Sequence, residues 1–72
     1  MPEPLFTKQL ASKNNTFTFD IREAKNGNKY LCISESHMQG GKPFRTSIHI
    51  FENSVPEFYD IFEEAVERFN QM

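Results

Sequence analysis

Apolar and polar side chains alternate through three stretches of this chain and then change to a helical period. In TFTFDIR, Phe17, Phe19 and Ile21 point one way, while Thr16, Thr18, Asp20 and Arg22 point the other. In YLCISE, Leu31 and Ile33 oppose Tyr30, Cys32 and Ser34. In PFRTSIHIF, Phe44, Ile48 and Ile50, with Thr46, oppose Arg45, Ser47, His49 and Phe51. A period of two is the mark of a strand with one buried face. LFTKQLAS is a weaker strand candidate, with Phe6 and Leu10 facing inward and Lys8 as the exception. Asn26-Gly27 offers the positive φ angles of a tight hairpin, Gly40-Gly41 suits a looser second turn, and SKNN (residues 12–15) is turn chemistry.

Beyond residue 54 the spacing changes. Val55, Phe58, Ile61, Phe62, Ala65, Val66 and Phe69 recur at intervals of three and four, one stripe on a helix. Ser54 and Glu57 have the spacing of a capping box, and Pro56 falls in the first turn, where its missing N–H costs nothing. The pattern predicts a single α+β domain over residues 1–72. Strands near 4–11, 15–25, 28–36 and 43–51 form an antiparallel four-stranded sheet, and one C-terminal amphipathic helix near 54–70 lies across one face.

Composition adds a problem of cover. Seventy-two residues with eight Phe and two Tyr are rich in aromatics for a domain this small, and one helix cannot hide them all. A second subunit is expected. The lone Cys32 excludes an intrachain disulfide framework and a cysteine-based zinc cluster. No stretch reads as a signal peptide or a membrane span, so the expectation is a cytoplasmic protein with no membrane partner.

The net charge of −2 is unevenly placed. Residues 54–72 carry Glu57, Asp60, Glu63, Glu64 and Glu67 against Arg68 alone, or −4, and residues 1–53 carry seven cations against five acids, or +2. Local potential governs what a surface attracts, so the acidic total leaves a polyanionic partner open.

Catalytic and cofactor chemistry find little footing. No nucleophile sits in a recognisable elbow, and His37 and His49 fall in different elements without a second ligand at metal spacing. The expectation is a non-enzyme without cofactor or metal. Gly40-Gly41-Lys42 lacks the longer glycine spacing of a phosphate loop and reads as a turn. The outward sheet face is more informative: Arg22, Tyr30, Arg45, His49 and Phe51 share it, with Lys25, Asn26 and Lys29 at the hairpin edge. Aromatic rings offer bases a stacking platform and neighbouring cations neutralise phosphates. The same pattern also describes a wetted face whose rings pack on neighbours. Alternation alone leaves both open.

The order of four strands and a helix, with LASKNNTFTFDIREAKNGNKYLCISES and a Gly-Gly turn, resembles the PUR repeat from about Leu5 to Phe69. PUR-alpha-like proteins bind single-stranded DNA and RNA, and two repeats pack into one complete whirly-like domain. One repeat per chain therefore implies a homodimer. The resemblance also implies nucleic-acid contacts. Arg22 matches the first basic residue of the family's pattern, Lys29 the basic residue before the aromatic, and Tyr30 the stacking ring. Lys13, Asn14 and Asn15 fall in the polar linker before the second strand. The sequence departs from the family at Ala24, where the pattern has Asn, and its hairpin is one residue longer, with Asn26 as the substitute amide.

The expected site is thus Lys13, Asn14, Asn15, Arg22, Lys25, Asn26, Lys29, Tyr30 and Arg45, and the expected function is regulatory single-strand binding. The alternative, favoured by the modest number of basic residues, is a dimeric protein–protein interaction module without nucleic-acid binding.

Overall fold

A computed structural model describes residues 3–72. The chain runs through strands β1 (Phe6–Ala11), β2 (Asn15–Glu23), β3 (Lys29–Gln39) and β4 (Lys42–Phe51). A 3-10 turn (Glu52–Ser54) and one helix, α1 (Val55–Gln71), follow. The strands form an antiparallel meander in the order β1-β2-β3-β4, the α+β layout that the alternation predicts.

Register assigns the faces. Ile21 sits opposite Leu31 and Phe19 opposite Ile33. Leu31 and Ile33 in turn face Ile50 and Ile48. Phe6 and Leu10 pair with Ile21 and Phe17, and Lys8 pairs with Phe19, so the expected exception on β1 does stand on the apolar face. The opposite, polar face carries Thr16, Thr18, Asp20 and Arg22 from β2, Tyr30, Cys32, Ser34 and Ser36 from β3, and Arg45, Ser47, His49 and Phe51 from β4.

The two glycine turns exchange the roles expected of them. Gly40 and Gly41 both have positive φ, 59° and 79°, which makes the tight two-residue turn of a hairpin whose twist matches its strands. This lets β3 run to Gln39, three residues beyond its expected end. At the other hairpin only Gly27 has positive φ, and Asn26 does not. The amide of Gly27 donates to the Ala24 carbonyl at 2.9 Å and that of Ala24 to the Asn28 carbonyl at 2.8 Å. This is a three-residue loop whose last position is left-handed. Asn26 contributes through its side chain, accepting from the Asn28 amide at 3.0 Å.

Two expectations about the helix are corrected. Ser54 makes no side-chain cap. The 3-10 turn places it at φ −98°, ψ −9°, near-helical values unlike the extended backbone from which a capping hydroxyl reaches the next amides. Nor does α1 lie across the sheet. Only Val55 and Phe58 are half-buried, and every helix residue from Tyr59 onward is exposed. The first turn of α1 packs beside the β3–β4 end, where Val55 and Pro56 stand by Leu31. Ile50 is the only fully apolar side chain of the described residues that is buried, at 7 % exposed. The radius of gyration is 14.4 Å, against about 11 Å for a compact domain of this length. Three residues of 3-10 turn carry the chain off the edge strand instead of back over the sheet.

The glycine turn yields a stability test. An added Cβ at Gly40 or Gly41 meets no atom within 4 Å, so any penalty comes from φ alone. Gly41→Ala should cost about 1–2 kcal/mol in chemical denaturation, and Gly40→Asn clearly less, because Asn tolerates the left-handed region. Equal stability of Gly41→Ala and the parent would refute this turn geometry.

Candidate functional site

The polar sheet face is built on a floor of small side chains. Ser34 and Asp20 are 2 % and 4 % exposed, more deeply buried than any apolar residue described. Ser34 shares a hydrogen bond with Ser47 at 3.1 Å, lies 3.8 Å from the Cys32 thiol, and accepts from an Arg45 guanidinium nitrogen at 3.2 Å. Arg45 thus leans over the centre of the face and covers the serine beneath it. Burial here arises from longer neighbours folding over short ones, which keeps each hydroxyl partnered, as a buried polar group requires.

Towards the 24–28 hairpin the same face becomes aromatic. Tyr30 pairs with Arg22 on β2 and with Phe51 on β4, and Cys32 pairs with His49. The rings converge: Tyr30 lies 5.3 Å from His49 and 5.6 Å from Phe51 between centroids, and His49 meets Phe51 edge-on at 6.5 Å. Tyr30 is half-buried behind the other two, while Phe51 is 59 % exposed. Arg22 borders the cluster and reaches Asp20 at 3.5 Å. Tilted rings at these separations attract one another, so the patch is held as a unit.

The expected site residues do not all assemble here. Arg22 and Tyr30 adjoin, and Lys25 and Asn26 stand exposed in the hairpin loop at that end. Lys29 pairs with Glu23, which puts it on the apolar face beside Ile21 and Val55. Strand alternation between Lys29 and Tyr30 makes this unavoidable. Lys13 and Asn14 occupy the β1–β2 turn at the far end, where Ser12 and Asn15 close the loop. The run of β2 from Asn15 to Arg22 spans roughly 20 Å. Arg45 is in register with Ser36 and Thr16, towards the β1–β2 turn, and its guanidinium reaches back to Ser34 at the centre of the face. His49 and Phe51, absent from the expected contact set, complete the ring cluster. Their signal was present in the alternation of β4.

Asn15 faces away from this patch. On the apolar side it donates to Glu35 at 2.6 Å, and His37 Nδ1 lies 2.9 Å from the same carboxylate. The His37 ring stacks on Phe44 at 5.8 Å and 15°. This polar triad at the end of an apolar face was not read from the sequence, although alternation from Ile33 puts Glu35 and His37 there. The Asn15 hydrogen bond, reinforced by His37 and opposed by desolvation, holds the Glu35 carboxyl below its ordinary range.

No protein-family model matches the chain, and no curated protein matches it. Among the described residues no helix is long and apolar enough to cross a membrane.

The triad can be tested by titration. A carboxyl depressed in the folded state stabilises the fold above its unfolded-state pKa, and that contribution is lost as pH falls through the folded value. Asn15→Ala should move the Glu35 titration upward towards that of an ordinary glutamate, read by NMR of the side-chain carboxyl. An unmoved titration would show that the Asn15 contact has no hold on Glu35.

Proposed function

We propose that this chain is a PUR-type repeat that binds single-stranded DNA or RNA as a homodimer. The observation that carries the nucleic-acid part is the three-ring cluster of Tyr30, His49 and Phe51, standing on a polar sheet face beside Arg22, with Arg45 farther along the same face. Rings stack on bases of any sequence, while guanidinium groups and the loop Lys25 take the phosphates. Asn26 is half committed to its own loop, which leaves it a weaker base reader than the resemblance implies.

The homodimer is supported by two unmatched apolar surfaces. The sheet exposes Phe6, Leu10, Phe44 and Ile48 on one face, and the helix exposes Ile61, Phe62, Val66 and Phe69 on its stripe. Apolar patches of this extent rarely face water in a monomer. Charge favours a second copy as the occupant. Lys8, Lys29 and Lys42 outnumber Glu23 and Glu35 on the apolar sheet face, whereas the helix segment is acidic by four charges. Each chain thus carries the complement of its own sheet.

One observation favours the alternative, a dimeric protein–protein interaction module. Asp20 engages Arg22, and Lys29 lies on the other face, so the polar face offers few free cations. Binding measurements separate the two readings. Light scattering should give about twice the 8.5 kDa chain mass, and Phe62→Asp should reduce it to the monomer. A folded parent monomer at micromolar concentration would refute the dimer.

Single-strand affinity should fall with salt at a logarithmic slope of about −0.7 per phosphate contact, and Lys25→Ala should flatten that slope. Tyr30→Ala should cost about 1–3 kcal/mol of affinity for single strands, and Tyr30→Phe much less. An affinity unchanged in Tyr30→Ala, with stability lowered, would leave the interaction module as the answer.

A further inference from the structure

On the reading of the polar face as a nucleic-acid grip, we propose that His49 is its proton-dependent contact. When protonated, His49 adds a positive charge at the rings themselves, and single strands are held more tightly as pH falls below neutrality. Three observations lead there.

The first is position. His49 and Phe51 are the exposed rings of the cluster, and Tyr30 is the half-buried ring behind them. β4 is the edge of the sheet, so no further strand screens the imidazole from a ligand. A strand stacking on Phe51 must pass His49, which lies 6.5 Å from it between centroids.

The second is charge. On the polar face Arg22 reaches Asp20 at 3.5 Å and the Arg45 guanidinium donates to Ser34 at 3.2 Å, while Lys29 and Glu23 project from the opposite side. The groups that share the face with His49 are Tyr30 and Cys32 from β3, Asp20 and Arg22 beyond them on β2, and Arg45 on its own strand. An imidazole is the side chain that changes charge between about pH 5 and 8. One proton on His49 therefore adds a cation directly at the rings, where the guanidinium groups already have partners.

The third is the neighbour ring. An imidazolium whose centroid lies 5.3 Å from that of Tyr30 is within cation–π range, so the protonated ring is accommodated at the patch rather than expelled from it. A phosphate on the other side of the ring would bind the charged form alone, which couples strand binding to uptake of one proton. The second histidine, His37, stands on the opposite face against Glu35 and Phe44 and is the natural control.

The test is fluorescence anisotropy with a labelled oligothymidylate, whose bases do not titrate in the range used. Affinity is measured at constant ionic strength near about pH 5.5 and about pH 8, either side of the ordinary histidine value. The parent should bind about three- to tenfold more tightly at the lower pH, the span of a complex that raises the histidine pKa by up to about one unit. His49→Gln should lose most of that pH response, whatever the lost ring costs in affinity at the higher pH, while His37→Gln should retain it. Equal parent affinities at the two pH values, or a full response surviving in His49→Gln, would overturn the role of His49 and leave the grip itself standing. Absence of binding at both values would remove the nucleic-acid reading and this role with it.

Discussion

The short connection between the sheet and the helix is the constraint on which the rest of this molecule depends. Only Glu52–Ser54 separates β4 from α1, and they form a 3-10 turn rather than a flexible loop. The helix therefore starts at the edge of the sheet and touches it with its first turn. Val55 and Phe58 are taken up by that contact, and the remaining stripe stays in water, as do Phe6, Leu10, Phe44 and Ile48 on the apolar sheet face. Phe69 is 77 % exposed and Ile48 51 % exposed, an arrangement that leaves a hydrophobic deficit for a chain of this size. The proposed association between copies would cover both surfaces.

The two faces of the sheet then take different work. The apolar face holds the surface proposed for association and, at one end, the Asn15–Glu35–His37 triad, which puts a satisfied polar cluster beside otherwise greasy side chains. The polar face keeps its own buried layer of Ser34, Asp20 and Cys32, and this layer lets Arg45 and the three rings stand in fixed positions above it. Stacking of bases benefits from such fixity, because little side-chain freedom remains to be lost on binding. The electrostatic side of the proposed grip is thinner, because Arg22 is engaged by Asp20 and the Arg45 guanidinium by Ser34.

Much of the fold was legible in the sequence, because strand alternation and helical periodicity are local properties of order and spacing. Phe17-Phe19-Ile21, Leu31-Ile33 and Ile48-Ile50 assigned the apolar face correctly, including the place of Lys8 among them. The meander order and the start of the helix at residue 55 followed from the same signals. Of the site, the shared face of Arg22, Tyr30, Arg45, His49 and Phe51 was also legible, since parity along paired strands determines it. What the alternation could not supply was contact. That Tyr30 is backed by two rings, that Arg22 is tied to Asp20, and that Arg45 covers Ser34 depend on how side chains lean across strands.

Tertiary structure alone decided three further matters. It chose which glycine turn is tight, because φ at each loop position answers to the twist of the strands on either side, and Gly40-Gly41 satisfied that demand with two left-handed residues. It turned Ser54 from a cap into part of a 3-10 turn, because backbone direction at the end of β4 outweighs the local preference of one hydroxyl. It also separated the helix stripe from the sheet it matches. A stripe of apolar residues states that a helix will be covered, and nothing in its spacing states by what. That depends on the path of the chain after β4, where three residues settled that a single copy leaves both surfaces open.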